Sequence, residues 1–68
     1  MKVELNGNGL DVREGATVAD LVEQAGAAAG ARGVAVAVDG EVVPRSAWEE
    51  TQVAAGQRVE VLEAMQGG

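Results

Sequence analysis

The chain contains no cysteine and no histidine. Without cysteine there is no disulfide framework, no thiolate zinc site and no side-chain sulfur to act as nucleophile or sulfur holder. Without histidine the commonest acid–base group is missing, so catalysis inside this chain is not expected. A carboxylate pair is the remaining option among eleven Asp and Glu residues, but scattered acids on a small domain ordinarily form a solvated surface. Phe and Tyr are absent as well, Trp48 is the sole aromatic residue, Pro44 the sole proline and Lys2 the sole lysine. The longest uniformly apolar run is Val34 to Val38, far short of the roughly 20 residues that a membrane-spanning helix needs. Lys2 and Glu4 interrupt the N-terminus before a secretory segment forms, and the expected location is cytoplasmic.

What is present amounts to one small domain of 68 residues, near the lower limit for a self-sufficient core. Its apolar inventory is mostly valine and alanine. The formal net charge of −6 argues against nucleic acid and anionic membrane as partners, since both require a basic footprint, and favours a protein with a basic cradle.

The pattern along the chain alternates between two periods. Residues 2–6 put Val3 and Leu5 on one face and Lys2, Glu4 and Asn6 on the other, the period of a half-buried strand. Asn6-Gly7-Asn8-Gly9 is a turn signal, and Leu10 and Val12 then alternate with Asp11 and Arg13, predicting a hairpin with a second strand near 10–13. Thr17 is placed as a helix cap with Asp20 three residues on, as in a capping box. Val18, Leu21, Val22 and Ala25 follow at helical spacing as one apolar stripe. Gly26 and Gly30 both qualify as the stop; the helix is expected to end near Gly26, with residues 27–33 as a loose loop. Val34 to Val38 reads as a strand with its valines toward the helix. Asp39-Gly40 marks a tight turn, and Glu41 to Val43 a short return strand that Pro44 ends. Residues 46–50 suggest one helical turn with Ser46 capping and Trp48 folded back into the core. Thr51 to Gln57 shows no period, with Gly56 as its turn. Arg58 to Glu63 is a last strand with Val59 and Val61 inward. That order predicts a two-layer α+β domain over residues 1–63, with three or four strands and one amphipathic helix burying one face. The last strand is expected centrally, beside the first.

Residues 64–68, Ala64-Met65-Gln66-Gly67-Gly68, are expected to form a flexible tail. Glycine carries no Cβ, so a Gly-Gly end is thin, and five extended residues reach about 16 Å. Such a tail is able to thread a carboxylate into another protein's active site while the folded body stays outside. The plainer reading is a frayed end.

These elements, with the Gly-Gly end, resemble the ubiquitin-like β-grasp fold, which implies a mixed sheet of four to five strands with one helix packed on one face. The chain is more specifically similar to the ThiS family of sulfur carriers in thiamine biosynthesis. The matching residues are Asn6 closing the first strand, Gly15-Ala16-Thr17-Val18 with Leu21, and Val36-Ala37-Val38-Asp39-Gly40. Val43-Pro44-Arg45 with Trp48, Gly56 and Gly67-Gly68 complete the set. The Ala/Gly-rich loop after the helix departs from that pattern without touching a functional position.

The resemblance implies that an E1-like adenylating enzyme of the ThiF type uses ATP and Mg²⁺ to convert the Gly68 carboxylate into an acyl-adenylate. Sulfur from a persulfide donor then displaces AMP, and the resulting thiocarboxylate serves a thiazole synthase of the ThiG type. On this view the chain binds no cofactor or metal itself and is a cosubstrate. Gly68 carries the sulfur, and Gly67, Gln66 and Met65 are the tail that the partner recognises. Leu62, by alternation, points away from the helix, and Leu62, Val43 and Arg45 are the expected partner-contact surface. Arg45 is offered either to a partner or to a neighbouring acid. Related readings are a molybdopterin-synthase small-subunit type of carrier, a ubiquitin-like modifier joined to target lysines, and a plain binding module.

Overall fold

The computed structural model describes residues 1–26 and 33–63. Among these, five strands form one mixed sheet: β1 (Lys2–Leu5), β2 (Asn8–Asp11), β3 (Val34–Val38), β4 (Glu41–Val43) and β5 (Arg58–Glu63). A single α-helix, α1 (Val18–Gln24), and a 3-10 turn over Arg45–Ala47 complete the elements. The spatial order is β2-β1-β5-β3-β4. The last strand is therefore central, as its alternation and long separation from β1 predict. It runs parallel to β1 and antiparallel to β3.

The two hairpins close on two-residue turns. Leu5 pairs with Asn8 and Val38 with Glu41, leaving Asn6-Gly7 and Asp39-Gly40 as the loops. All four residues have positive φ: 50° at Asn6 and Asp39, 85° at Gly7 and 86° at Gly40. Turns of this hand match the right-handed twist of the strands they join, and Asn-Gly and Asp-Gly supply them at low cost. The tight first turn starts β2 at Asn8, two residues earlier than the alternation of Leu10 and Val12 suggests. Pairing nonetheless persists past β2, since the Val12 N–H donates to the Met1 carbonyl at 2.8 Å.

Helix α1 begins as expected. Thr17 is extended and its hydroxyl accepts from the Asp20 N–H at 3.3 Å, while the Asp20 carboxylate accepts from the Thr17 N–H at 2.9 Å. That N–H first, and the Arg13 guanidinium at 3.0 Å with it, hold the Asp20 carboxyl below the ordinary aspartate range; partial burial opposes them. The next donors of the first turn find carbonyls in a remote segment, Val18 on Thr51 at 2.9 Å and Ala19 on Trp48 at 3.1 Å. This satisfies N–H groups that a helix start leaves unpaired. The helix stops at Ala25, followed by Gly26 at φ 85°, so the first of the two candidate glycines ends it. Ala25 is exposed, not the last member of the apolar stripe, because the helix has ended by that point and the stripe stops at Val22. Residues 27–32 of the expected loop lie outside the described residues.

The buried core comprises Val3, Leu5, Ala16, Val18, Leu21, Val22, Val36, Trp48, Val53, Val59 and Val61. Trp48 is 3% exposed and its indole N–H donates to the Val43 carbonyl at 2.9 Å. It acts as the plug that closes the core beside the short β4. The turn preceding it is a 3-10 helix entered from Pro44, with no side-chain cap. Ser46 thus lies inside the turn instead of capping it, because Pro44 already places the chain in extended geometry one residue before Arg45. The aperiodic stretch 51–57 is strapped to the body: the Val53 N–H donates to the Ala16 carbonyl at 2.9 Å and the Gly56 N–H to the Lys2 carbonyl at 2.8 Å.

Candidate functional site

The tail residues Met65, Gln66, Gly67 and Gly68, to which the sequence assigns the chemistry, lie outside the described residues. The structure does describe their root. Strand β5 is hydrogen-bonded on both flanks and ends at Glu63, immediately before the tail. Alternation sends Val59 and Val61 into the core and leaves Arg58, Glu60, Leu62 and Glu63 exposed.

Turn residues hold both ends of this strand. At its start, the Asp39 N–H donates to the Arg58 carbonyl at 2.7 Å and the Arg58 N–H donates to the Asp39 carboxylate at 2.9 Å. Near its far end, the Val61 N–H donates to the Asn6 side-chain oxygen at 2.8 Å, and the Asn6 side-chain amide donates to the Val61 carbonyl at 3.3 Å. The sequence marks Asn6-Gly7 and Asp39-Gly40 as turns but does not reveal that the Asn6 and Asp39 side chains reach a strand 55 and 19 residues away. Only the tertiary pairing brings them there.

On the sheet face opposite the helix, Leu62 projects with 66% of its surface exposed, as its place in the alternation predicts. Val42 joins it at 76% exposure. Val43, expected on this open face, belongs to the other: it pairs with the buried Val36 and packs against the core. The adjacent valines of β4 show no alternation, so sequence alone does not tell which turns outward. The register decides it, pairing Val42 with Ala37 and Leu62 with Ala35. Small alanines between Val42 and Leu62 leave both side chains proud of a shallow apolar strip, with Glu60 alongside on the same face.

Arg45 is exposed, and its guanidinium stands 5.8 Å from the centroid of the Trp48 ring, a cation–π arrangement. It is thereby tied to the core plug as well as presented at the surface. No cluster of three or more acidic, His or Cys residues among those described is placed to hold a metal ion. No described helix is long and apolar enough to cross a membrane. What the described residues present is a strand end beside a shallow apolar strip.

A mixed five-stranded sheet with one helix against one face, and its central closing strand leading into the terminus, defines a ubiquitin-like β-grasp protein. The sequence model of the ThiS family matches residues 2–68. The crystal structure of the thiamine biosynthesis protein ThiS from Geobacter metallireducens is similar at 36% identity and a TM-score of 0.78, with both chains covered completely. An NMR solution structure of a thiamine biosynthesis protein from the same organism also gives 36% identity and a TM-score of 0.78, covering all of this chain and 88% of the other. Comparison with curated proteins gives no significant match. The chain belongs to the ThiS family, the small sulfur carriers of thiamine biosynthesis.

Proposed function

We propose that this protein carries sulfur as a thiocarboxylate on Gly68 and delivers it for thiazole formation. A ThiF-type adenylating enzyme binds the body and receives the tail. The Gly68 carboxylate attacks the α-phosphorus of ATP, releasing pyrophosphate and forming an acyl-adenylate; ATP and Mg²⁺ are held by that partner. The terminal sulfur of a donor persulfide displaces AMP to form an acyl disulfide. A thiolate of the partner machinery then attacks the donor-side sulfur, which ends in a disulfide, and releases the Gly68 thiocarboxylate that a ThiG-type thiazole synthase consumes. The chain is a cosubstrate and supplies no catalytic residue. The observation that carries this reading is the family match, which runs to Gly68. The central position of β5 supports it, since a strand held by β1 at its start and by β3 through Glu63 gives the tail a fixed origin.

In the same reading, Leu62 and Val42 seat against the adenylating enzyme while Met65, Gln66 and Gly67 occupy its channel. Burying two such side chains contributes about 1.5–3 kcal/mol each when their desolvation is complete. Arg45 lies beside Trp48 at the far edge of the sheet and contributes at the rim.

The test is the intact mass of protein isolated from cells that make thiamine. Replacement of one carboxyl oxygen by sulfur adds about 16 Da, and because sulfoxidation of Met1 or Met65 adds the same, the thiocarboxylate is distinguished by alkylation. Absence of an alkylatable species under thiamine starvation refutes the proposal. Isopeptide-linked adducts on other proteins' lysines would instead indicate a protein modifier.

A further inference from the structure

Among the described residues, two that are not glycine have positive φ, Asn6 and Asp39. They grip opposite ends of the same strand. Asn and Asp tolerate this backbone region better than other side chains, so each is able to end its own strand and still direct a polar group back at β5. The two grips differ in kind. Asp39 uses its main-chain N–H and its carboxylate on Arg58, whereas Asn6 uses both atoms of its carboxamide on Val61.

The Asn6 contact continues the parallel ladder after the main chain has left it. The Glu4 N–H donates to the Gln57 carbonyl and the Asn6 N–H to the Val59 carbonyl, both at 2.9 Å. The next rung calls for an acceptor opposite the Val61 N–H and a donor opposite its carbonyl. At Asn6 the chain turns away at φ 50°, and its own carbonyl accepts from the Asn8 side chain at 3.4 Å. The Asn6 carboxamide supplies both missing partners. The carboxamide of Asn or Gln carries an acceptor oxygen and a donor nitrogen on separate atoms of one planar group, and Asn is the one of the two enriched in left-handed backbone.

We infer that Asn6 is a positioning residue for the reactive terminus: its carboxamide pins the tail-side end of β5, so that the tail leaves the sheet from a fixed point. The inference rests on the carrier function proposed above. Without the pin, the outer flank of Val61 has no partner among the described residues and the strand end opens more readily. An open strand end must be re-ordered whenever the carrier docks. That penalty falls equally on the ground and transition states of adenylation, so it raises KM and leaves kcat unchanged.

The experiment compares wild type with Asn6→Gly and Asn6→Asp in the full-length chain. Glycine keeps the turn's backbone geometry and removes the carboxamide; aspartate keeps the acceptor for the Val61 N–H but sets a carboxylate against the Val61 carbonyl. Val53→Ala, at a buried position outside β5, serves as a control for general loss of stability. Amide hydrogen exchange is followed at Val61, and ATP–pyrophosphate exchange is measured with the ThiF-type enzyme at a temperature where every variant is folded. In Asn6→Gly, Val61 exchange is expected to rise about ten-fold, as loss of hydrogen bonds at a strand end implies. KM for the carrier is expected to rise about five- to ten-fold with kcat within about two-fold. Asn6→Asp should fall between Asn6→Gly and wild type, and Val53→Ala should leave KM unchanged. Unchanged Val61 exchange in Asn6→Gly, an unchanged KM, or an equal rise of KM in Val53→Ala overturns the inference. If wild type itself supports no pyrophosphate exchange, the carrier function fails first and this inference with it.

Discussion

Replacing Trp48 by alanine tests whether one indole closes the core of this domain. The side chain is 3% exposed in a core otherwise made of valine, leucine and alanine. A buried aromatic side chain covers about 150–250 Å², which at about 25 cal/mol per Å² corresponds to roughly 4–6 kcal/mol, part of which alanine retains. Observed aromatic-to-alanine losses of about 3–5 kcal/mol agree with that figure. At 0.05–0.15 kcal/mol per residue, a 68-residue domain has a total stability of only about 3–10 kcal/mol. Trp48→Ala is therefore expected to be largely unfolded or to melt about 20–35 °C lower. Trp48→Phe retains much of the apolar contact but removes the 2.9 Å hydrogen bond to the Val43 carbonyl and should cost about 1–2 kcal/mol. The assay is thermal and urea denaturation followed by far-UV circular dichroism, since both variants lack the only tryptophan. A Trp48→Ala protein melting within about 7 °C of wild type, near 1 kcal/mol for a domain this small, refutes the packing argument.

Three further outcomes follow from the same structure. Asp20 has a depressed pKa in the folded state, so its contribution to stability is fully present above the ordinary aspartate value of about 3.9. That contribution disappears as pH falls through Asp20's own, lower pKa. Because the side chain is 40% exposed, solvent screening keeps the effect at or below about 1 kcal/mol; Asp20→Asn should remove this acid-limb dependence in melting curves taken from pH 2 to 6, and identical profiles would refute it. Leu62→Glu lies at an exposed position and should change stability by no more than about 0.5 kcal/mol while raising KM for adenylation, so an unchanged KM removes Leu62 from the contact surface. Gly67→Ala should fold as wild type does and be adenylated more slowly, because a Cβ thickens the tail where a narrow channel must admit it; equal adenylation rates would discard the steric argument.

Local chemistry in the sequence accounts for much of this protein. Thr17 and Asp20 announce the start of α1, Asn-Gly and Asp-Gly announce both hairpins, and Val59 and Val61 declare their face by alternation. Each of these signals acts within a few residues, through a cap, a turn or a period of two, and so can be read from neighbours alone.

Tertiary structure decided the matters that depend on distant pairing. The two valines of β4 are equivalent until register with β3 turns Val43 inward and Val42 out. Val53 sits in a stretch with no period and becomes core because its N–H meets Ala16 across the helix entrance. Asn6 reads as a turn residue until β5 arrives beside β1 and gives its carboxamide a strand to hold, 55 residues further along the chain. Short-range backbone preferences are written residue by residue, whereas the partner of a side chain is set by which strands become neighbours, and that is settled only when the whole sheet closes over its core.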